Sequence, residues 1–220
     1  MQKIAAIRNT RNLMKLKPLA LTCAVAAFAT TQAFSATTIA DPSFEDAANF
    51  VDDGNGVGKW NSFSQAPASA TITTAAARTG SSSAELVLGA ANLFAGFFQD
   101  IMVNPGDTIT LDLWHQAVNQ EAGSIEIRIE WQSGGGEIAR TANANPAPGS
   151  TFENFTISHL APAGADTARV VYATQSFGGD TDAVVNIDDF TVSGSTVPEP
   201  SGALLLALGA FGFVSARSRK

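Results

Sequence analysis

Cysteine is nearly missing from this 220-residue chain: Cys23 is the only one, and it lies in an apolar N-terminal segment. Thr22 precedes it and Ala20 stands three residues before it, where a lipoprotein site would carry Gly or Ala and Leu. Cys23 therefore reads as a small apolar residue of a discarded segment. The domain that follows has no disulfide and must hold together by packing, or by packing plus a metal. Histidine is also scarce. The two present, His115 and His159, sit in no recognisable nucleophile or metal motif, and there is no G-x-S-x-G elbow. Basic residues are rare in the middle of the chain. Of 13 Lys and Arg, five fall before residue 37 (Lys3, Arg8, Arg11, Lys15, Lys17) and three in the last four residues. Between 37 and 197 that leaves five basic against 19 acidic residues, a formal charge of −14. A body this acidic repels phosphate backbones, so nucleic-acid binding is excluded as a function. Helical periodicity is absent from 39 to 192, and no apolar run reaches the ~20 residues of a full membrane span.

What is present begins with a secretory signal. The basic stretch ends at Lys17, residues 18–28 are apolar, and small residues offer cleavage after Ala33, Ser35 or Ala36, so 1–36 is expected to be a helical signal peptide. At the other end, residues 195–220 contain Pro198-Glu199-Pro200, an uncharged run at 202–216, and the basic close Arg217-Ser218-Arg219-Lys220. Prolines flanking a glutamate cannot enter a helix interior or a central strand, so they keep an extended, accessible peptide. The run is helix-competent, and the basic end is what the positive-inside rule places on the cytoplasmic face. Triplet, run and basic end, in that order, resemble the PEP-CTERM sorting signal of Gram-negative bacteria. The resemblance implies an exosortase as processing partner and transient residence of the C-terminal helix in the inner membrane. It makes Pro198, Glu199, Pro200, Arg217, Arg219 and Lys220 the signal residues.

Between the two signals, short alternating runs recur, separated by Gly, Pro, Asn and Ser. In 124–132, Ile125, Ile127, Ile129 and Trp131 take one parity and Glu126, Arg128 and Glu130 the other, as in a half-buried strand. In 107–115, Ile109, Leu111 and Leu113 share a face, with Asp112 and Trp114 opposite. Further strands are expected at 70–74, 84–88, 96–103, 137–140, 152–158, 167–174 and 183–192. Ser133-Gly134-Gly135-Gly136 reads as a hairpin loop between strands and not as a phosphate cradle. About nine short strands predict an all-β sandwich over 37–194.

The landmarks then follow a known order. Asp41-Pro42-Ser43-Phe44-Glu45 is similar to the N-x-G-F-E opening of jelly-roll carbohydrate-binding modules with the galactose-binding-like fold. Gly58-Lys59-Trp60 follows in an apparent polar loop, then Arg78-Thr79-Gly80-Ser81. Val185-Asn186-Ile187-Asp188-Asp189-Phe190 resembles that family's last strand. The resemblance implies a jelly roll and a structural calcium joining first and last strands, held by Glu45 and one of Asp188 or Asp189. Calcium accepts carboxylates and carbonyls together. Only one of two adjacent strand residues can face such an ion, and Asp188 is favoured because it shares parity with Phe190 and Val192.

For a glycan partner the useful groups are exposed aromatics beside hydrogen-bonding side chains. Trp114 with Asp112 is the leading candidate, with Trp60 and Tyr172 as weaker additions; the alternative for Trp114 is burial between the sheets. Trp131 is expected in the core, and of Phe97 and Phe98 one is expected in and one out. Glu126 and Glu130 lie roughly 13 Å apart along their strand, beyond the roughly 5–9.5 Å of a glycosidase pair. The resulting expectation is an exported, non-catalytic protein at the cell surface or in the extracellular matrix, binding polysaccharide of an exopolysaccharide or biofilm setting. A structural matrix or adhesion protein and a polysaccharide-active enzyme are the alternatives.

Overall fold

In the computed structural model, residues 38–119, 123–176 and 183–196 are described. The expected signal peptide, the Pro-Glu-Pro tail with its hydrophobic helix, and Pro198, Glu199, Pro200, Arg217, Arg219 and Lys220 lie outside the described residues. Among the described residues, eleven strands form two facing sheets: β1 (Phe50–Val51), β2 (Trp60–Ser64), β3 (Ser69–Thr73), β4 (Ser83–Val87), β5 (Phe94–Met102), β6 (Asp107–Asn119), β7 (Gly123–Ser133), β8 (Gly136–Arg140), β9 (Glu153–Leu160), β10 (Thr167–Ser176) and β11 (Val184–Thr196). One sheet has the order β1-β2-β5-β10-β7-β8 and the other β3-β4-β11-β6-β9. Among the described strand pairs only β1–β2 is parallel, and an isolated parallel bridge joins Val57 to Asp100. The fold is an all-β jelly-roll sandwich.

The alternating runs explain the layers. Ile125, Ile127, Ile129 and Trp131 of β7 are buried, and so are Ile109, Leu111 and Leu113 of β6, each set facing the other sheet. Each such side chain contributes roughly 1.5–3 kcal/mol on leaving water. Ser133 and Gly136 pair across the hairpin between β7 and β8. Two strands escape the alternation rule. β1 has two residues, and β2 (Trp-Asn-Ser-Phe-Ser) carries three small polar residues, so its composition reads as loop although Trp60 is wholly buried.

One polar contact crosses the core. His115 of β6 and Tyr172 of β10 belong to different sheets, and His115 Nδ1 lies 2.9 Å from the Tyr172 hydroxyl. His115 is 2% exposed, and burial lowers its pKa from 6.5 to about 4. The unfolded chain thus binds this proton below about pH 6.5, whereas the folded chain resists it until about pH 4. Stability from this group is complete above the unfolded value and is lost as pH falls toward the folded one. Between pH 7 and 4, urea unfolding should show wild type losing about 3 kcal/mol more than a His115→Phe variant. Equal losses in the two proteins would contradict the assignment.

Candidate functional site

The opening motif, the 78–82 loop and the closing strand converge at one place. Asp41, at φ 49°, folds its carboxylate back to accept the N–H groups of Glu45 (2.9 Å) and Asp46 (3.2 Å). That turn is what Asp-Pro-Ser builds at the opening. In β11 the ladder to β6 skips between Asp188 and Thr191, which pair with Trp114 and Asp112. Such a bulge places two strand residues opposite one. Asp189 takes φ 47°, and the Phe190 N–H turns away to donate to Pro42 O at 2.8 Å.

The bulge overturns one expectation. It resets the alternation, so Ile187 and Phe190 are both core residues, and Asp188 does not share the inward parity of Phe190 and Val192. Asp188 lies instead against the loop, with 0% exposure. Its Oδ2 accepts the N–H groups of Arg78 (2.7 Å) and Thr79 (3.0 Å), and its Oδ1 accepts that of Asp189 (2.7 Å). Burial raises the Asp188 pKa, against the lowering by these three donors. Asp189 accepts Ser43 Oγ (2.9 Å), Thr79 Oγ1 (2.6 Å) and the Arg78 guanidinium. Burial would raise its pKa too, but these bonds outweigh it and the net direction is down. Glu45 Oε1 takes the far side of the loop, accepting Ser81 N–H (2.9 Å) and Ser82 N–H (3.0 Å). Gly80 between them has φ 61°, and a Cβ there would run into the Glu45 carboxylate.

A calcium ion here would need oxygen ligands from both chain ends. Glu45 and Asp188 both reach the same short loop, where Asp188 and Glu45 Oε1 accept its N–H groups. Glu45 Oε2 has no donor among the described residues. Three carboxylate, imidazole or thiol groups do not gather as a metal site among the described residues, so further ligands would be backbone carbonyls and water. The two carboxylates alone do not make a cation site, and a calcium ion would need carbonyl and water oxygens to complete it.

The glycan candidates are distributed differently from expectation. Trp60 is wholly buried, with its ring 5.1 Å from Phe44, Phe97 and Phe190, and its indole N–H donates to Asp41 O at 2.9 Å. It is a core residue, because Trp60 opens β2 and does not sit in a polar loop. Tyr172 is likewise buried, stacked on Phe97 at 5.7 Å and bonded to His115, because the central strand β10 turns it inward. Neither can contact a sugar. Trp114 is on the outer face of the five-stranded sheet as its parity implied, but Arg78 lies 3.7 Å over its ring. Asp112 accepts Thr156 Oγ1 (2.6 Å) and Asn154 Nδ2 (3.2 Å) beside it. This face is polar and already bonded to itself.

The outer face of the six-stranded sheet carries a concavity instead. A cleft of about 420 Å³ is lined by Asp52, Gly54, Asn61, Phe63, Phe98, Arg128, Glu130, Arg169 and Val171. Phe97 points into the core and Phe98 out, resolving that pair. Phe63 lies 6.3 Å from Phe98 and 6.2 Å from Phe94, centroid to centroid, giving a row of three rings. Gly96 permits the row, since a Cβ there would strike the Phe63 ring and come within 2.7 Å of Tyr172 O. Phe98 is covered: Arg169 sits 3.8 Å over its ring, and Gly56 packs so closely that a Cβ would lie 2.7 Å from it. Within the cleft, half-buried Phe63 is the ring left for stacking, and Phe94, 41% exposed, continues the row beyond the cleft lining. Arg169 grips Asp100 with two bonds (2.7 and 2.8 Å), and Arg128 bridges Glu130 (2.8 Å) and Glu126 (3.4 Å).

The sequence carries no direct sign of this cleft. The Glu126-Arg128-Glu130 alternation and the Phe97-Phe98 pair were legible, but Phe63 was hidden with the unread strand β2.

Residues 196–220 match the model of the PEP-CTERM protein-sorting motif. No curated protein sequence matches the chain. Among solved structures, the enzymatically active domain of tailspike protein 4 from bacteriophage CBA120 aligns with TM-score 0.56 and 18% identity over 72% of this chain, which spans 21% of that one. A family 61 carbohydrate-binding module in complex with β-1,4-galactotriose aligns with TM-score 0.50 and 15% identity, over 72% of this chain and 99% of the module. The family 22 carbohydrate-binding and xylanase modules of Clostridium thermocellum xylanase 10B, complexed with xylohexaose, align with TM-score 0.50 and 12% identity, over 71% of this chain and 28% of that one. The chain thus joins a PEP-CTERM sorting motif to a domain with the jelly-roll fold found in carbohydrate-binding modules.

Proposed function

We propose that this is an exported, exosortase-processed protein of the cell surface or extracellular matrix, whose sandwich binds a glycan of the surrounding polysaccharide without catalysis. The observation that carries the reading is the cleft across β2, β5, β7 and β10, with an aromatic floor and a rim of polar side chains. A pyranose presents an apolar C–H face and a ring of hydroxyls. Phe63 offers the matching flat surface, while Asp52 and Glu130 can accept hydroxyl protons and Arg128 and Arg169 can donate to hydroxyl oxygens. The neighbours solved with galactotriose and xylohexaose share the fold, which supports a glycan as the ligand. Glu130 of the cleft is tied to Arg128, consistent with recognition in preference to proton transfer.

The tail supplies the export half of the proposal. An exosortase would read Pro198-Glu199-Pro200, with 202–216 held in the inner membrane and Arg217, Arg219 and Lys220 on its cytoplasmic side. A calcium ion held by Glu45 and Asp188 would tie the opening motif to β11 more firmly than the loop bonds alone.

Three experiments test these parts. In affinity gels containing neutral polysaccharides, Phe63→Ala should weaken binding about tenfold, or ~1.4 kcal/mol, whereas Trp114→Ala should leave it within about twofold. The reverse ranking would move the site to the other sheet. Excess chelator should lower the melting temperature of wild type but not of Glu45→Ala; an unchanged wild-type value would remove the calcium. Mass spectrometry of surface material should find a C terminus short of 202–216, and an intact Lys220 would show that the tail is retained.

A further inference from the structure

Every lysine and arginine between 37 and 197 is already ion-paired. Lys59 meets Asp53, Arg78 meets Asp189, Arg140 meets Glu137 at 2.6 Å, and Arg169 meets Asp100 at 2.7 Å. Arg128 stands between two carboxylates, Glu130 at 2.8 Å and Glu126 at 3.4 Å. Recognition of a sugar carboxylate, sulfate or phosphate relies on a guanidinium fork or ammonium free to face it. Arg169 has its Nε and Nη2 on Asp100. Arg128 has its Nε on Glu130 and its Nη1 on Glu126, and Gln175 adds a further bond to Glu126. Five carboxylates (Asp52, Asp100, Glu126, Glu130, Glu137) against three guanidiniums (Arg128, Arg140, Arg169) leave the cleft and its ion-paired partners at a net charge of −2.

Resting on the reading of this cleft as the glycan site, we infer that it selects an uncharged polysaccharide and rejects acidic ones, and that Glu126 and Glu130, flanking Arg128, set that choice. The two glutamates hold the side chain that could otherwise greet an anion, and they add a surplus negative charge beside it. Hydroxyls of a neutral chain can still bond to these ionised groups, because a hydroxyl both donates and accepts. A uronate would have to displace a carboxylate that is already bonded and then sit against like charge. Rejection by charge is screened by salt, whereas stacking and hydroxyl bonding are not.

The test uses native affinity gels of the 37–197 region within the full chain, with β-1,4-galactan, xylan and polygalacturonate as the probes, at low and high salt. The expected result is retention by at least one neutral glycan, and polygalacturonate binding at least ~tenfold weaker at low salt with the gap narrowing as salt rises. In a Glu126→Gln/Glu130→Gln variant the ratio of polygalacturonate to neutral-glycan binding should rise at least ~tenfold, since Arg128 is released and the net charge of the cleft is removed. Wild-type polygalacturonate binding equal to or tighter than neutral binding would overturn the inference and leave the glycan reading standing. An unchanged ratio in the variant would overturn the role of the two glutamates. Retention by none of the three glycans would overturn the glycan reading itself and this inference with it. The salt series on wild type keeps the test decisive if the double variant does not fold.

Discussion

Two carboxylates grip one loop from opposite ends of the chain, and the rest of the sandwich depends on that grip. Glu45 follows the opening turn, Asp188 stands in the last strand, and between them they hold four consecutive-region N–H groups, those of Arg78, Thr79, Ser81 and Ser82. Asp188 is wholly buried, and a buried carboxylate left without donors is costly, so its bonds to the loop tie the loop conformation to the folded state. The same knot seats the aromatic core. Phe44 is delivered by the opening turn and Phe190 by the bulge, and both rings pack on Trp60 at 5.1 Å. With no disulfide in the domain, this arrangement does the work of joining first strand to last.

The two outer faces show how similar sheets can be put to different use. On the five-stranded sheet, hydroxyls and amides answer one another across β6 and β9, as in Thr110 with Ser158 at 2.7 Å, and Arg78 lies on the one large ring. On the six-stranded sheet, a glycine at position 96 leaves room for Phe63 to lie across the neighbouring strand, and the 52–57 segment rises beside it. A wall on one side and ionised side chains on the other turn a flat sheet into a cleft. Curvature here comes from missing side chains as much as from present ones.

Period-two alternation made the layers legible. Strands such as β6 and β7 carry apolar residues at every second position, and the structure buries those residues. The inward position of Trp131 and the split between Phe97 and Phe98 follow from the same rule. What alternation could not supply was anything that interrupts it. The bulge at Asp189 reversed the facing of everything after it, so the parity argument for Asp188 pointed the wrong way although Asp188 does reach the loop. Trp60 and Tyr172 read as surface aromatics because a Trp after Gly-Lys and a Tyr among Val and Thr carry no local sign of depth. Their burial is set by strands that pair across long sequence separations. Phe63 failed to stand out for the same reason: Trp-Asn-Ser-Phe-Ser becomes a strand only because β5 is there to pair with it.

The order of strands in the five-stranded sheet has a further meaning. β11 is the last strand in sequence, yet it lies between β4 and β6 in the middle of its sheet. Until residues 184–196 arrive, β4 and β6 each present an unsatisfied row of backbone groups, and Phe190 is missing from the aromatic cluster. A chain emerging N terminus first therefore cannot complete this sheet, the aromatic cluster or the loop grip before its closing strand arrives, and two strand edges stay open until then. The sandwich is closed at the centre of this sheet, by a strand whose last residue, Thr196, is the first of the sorting motif.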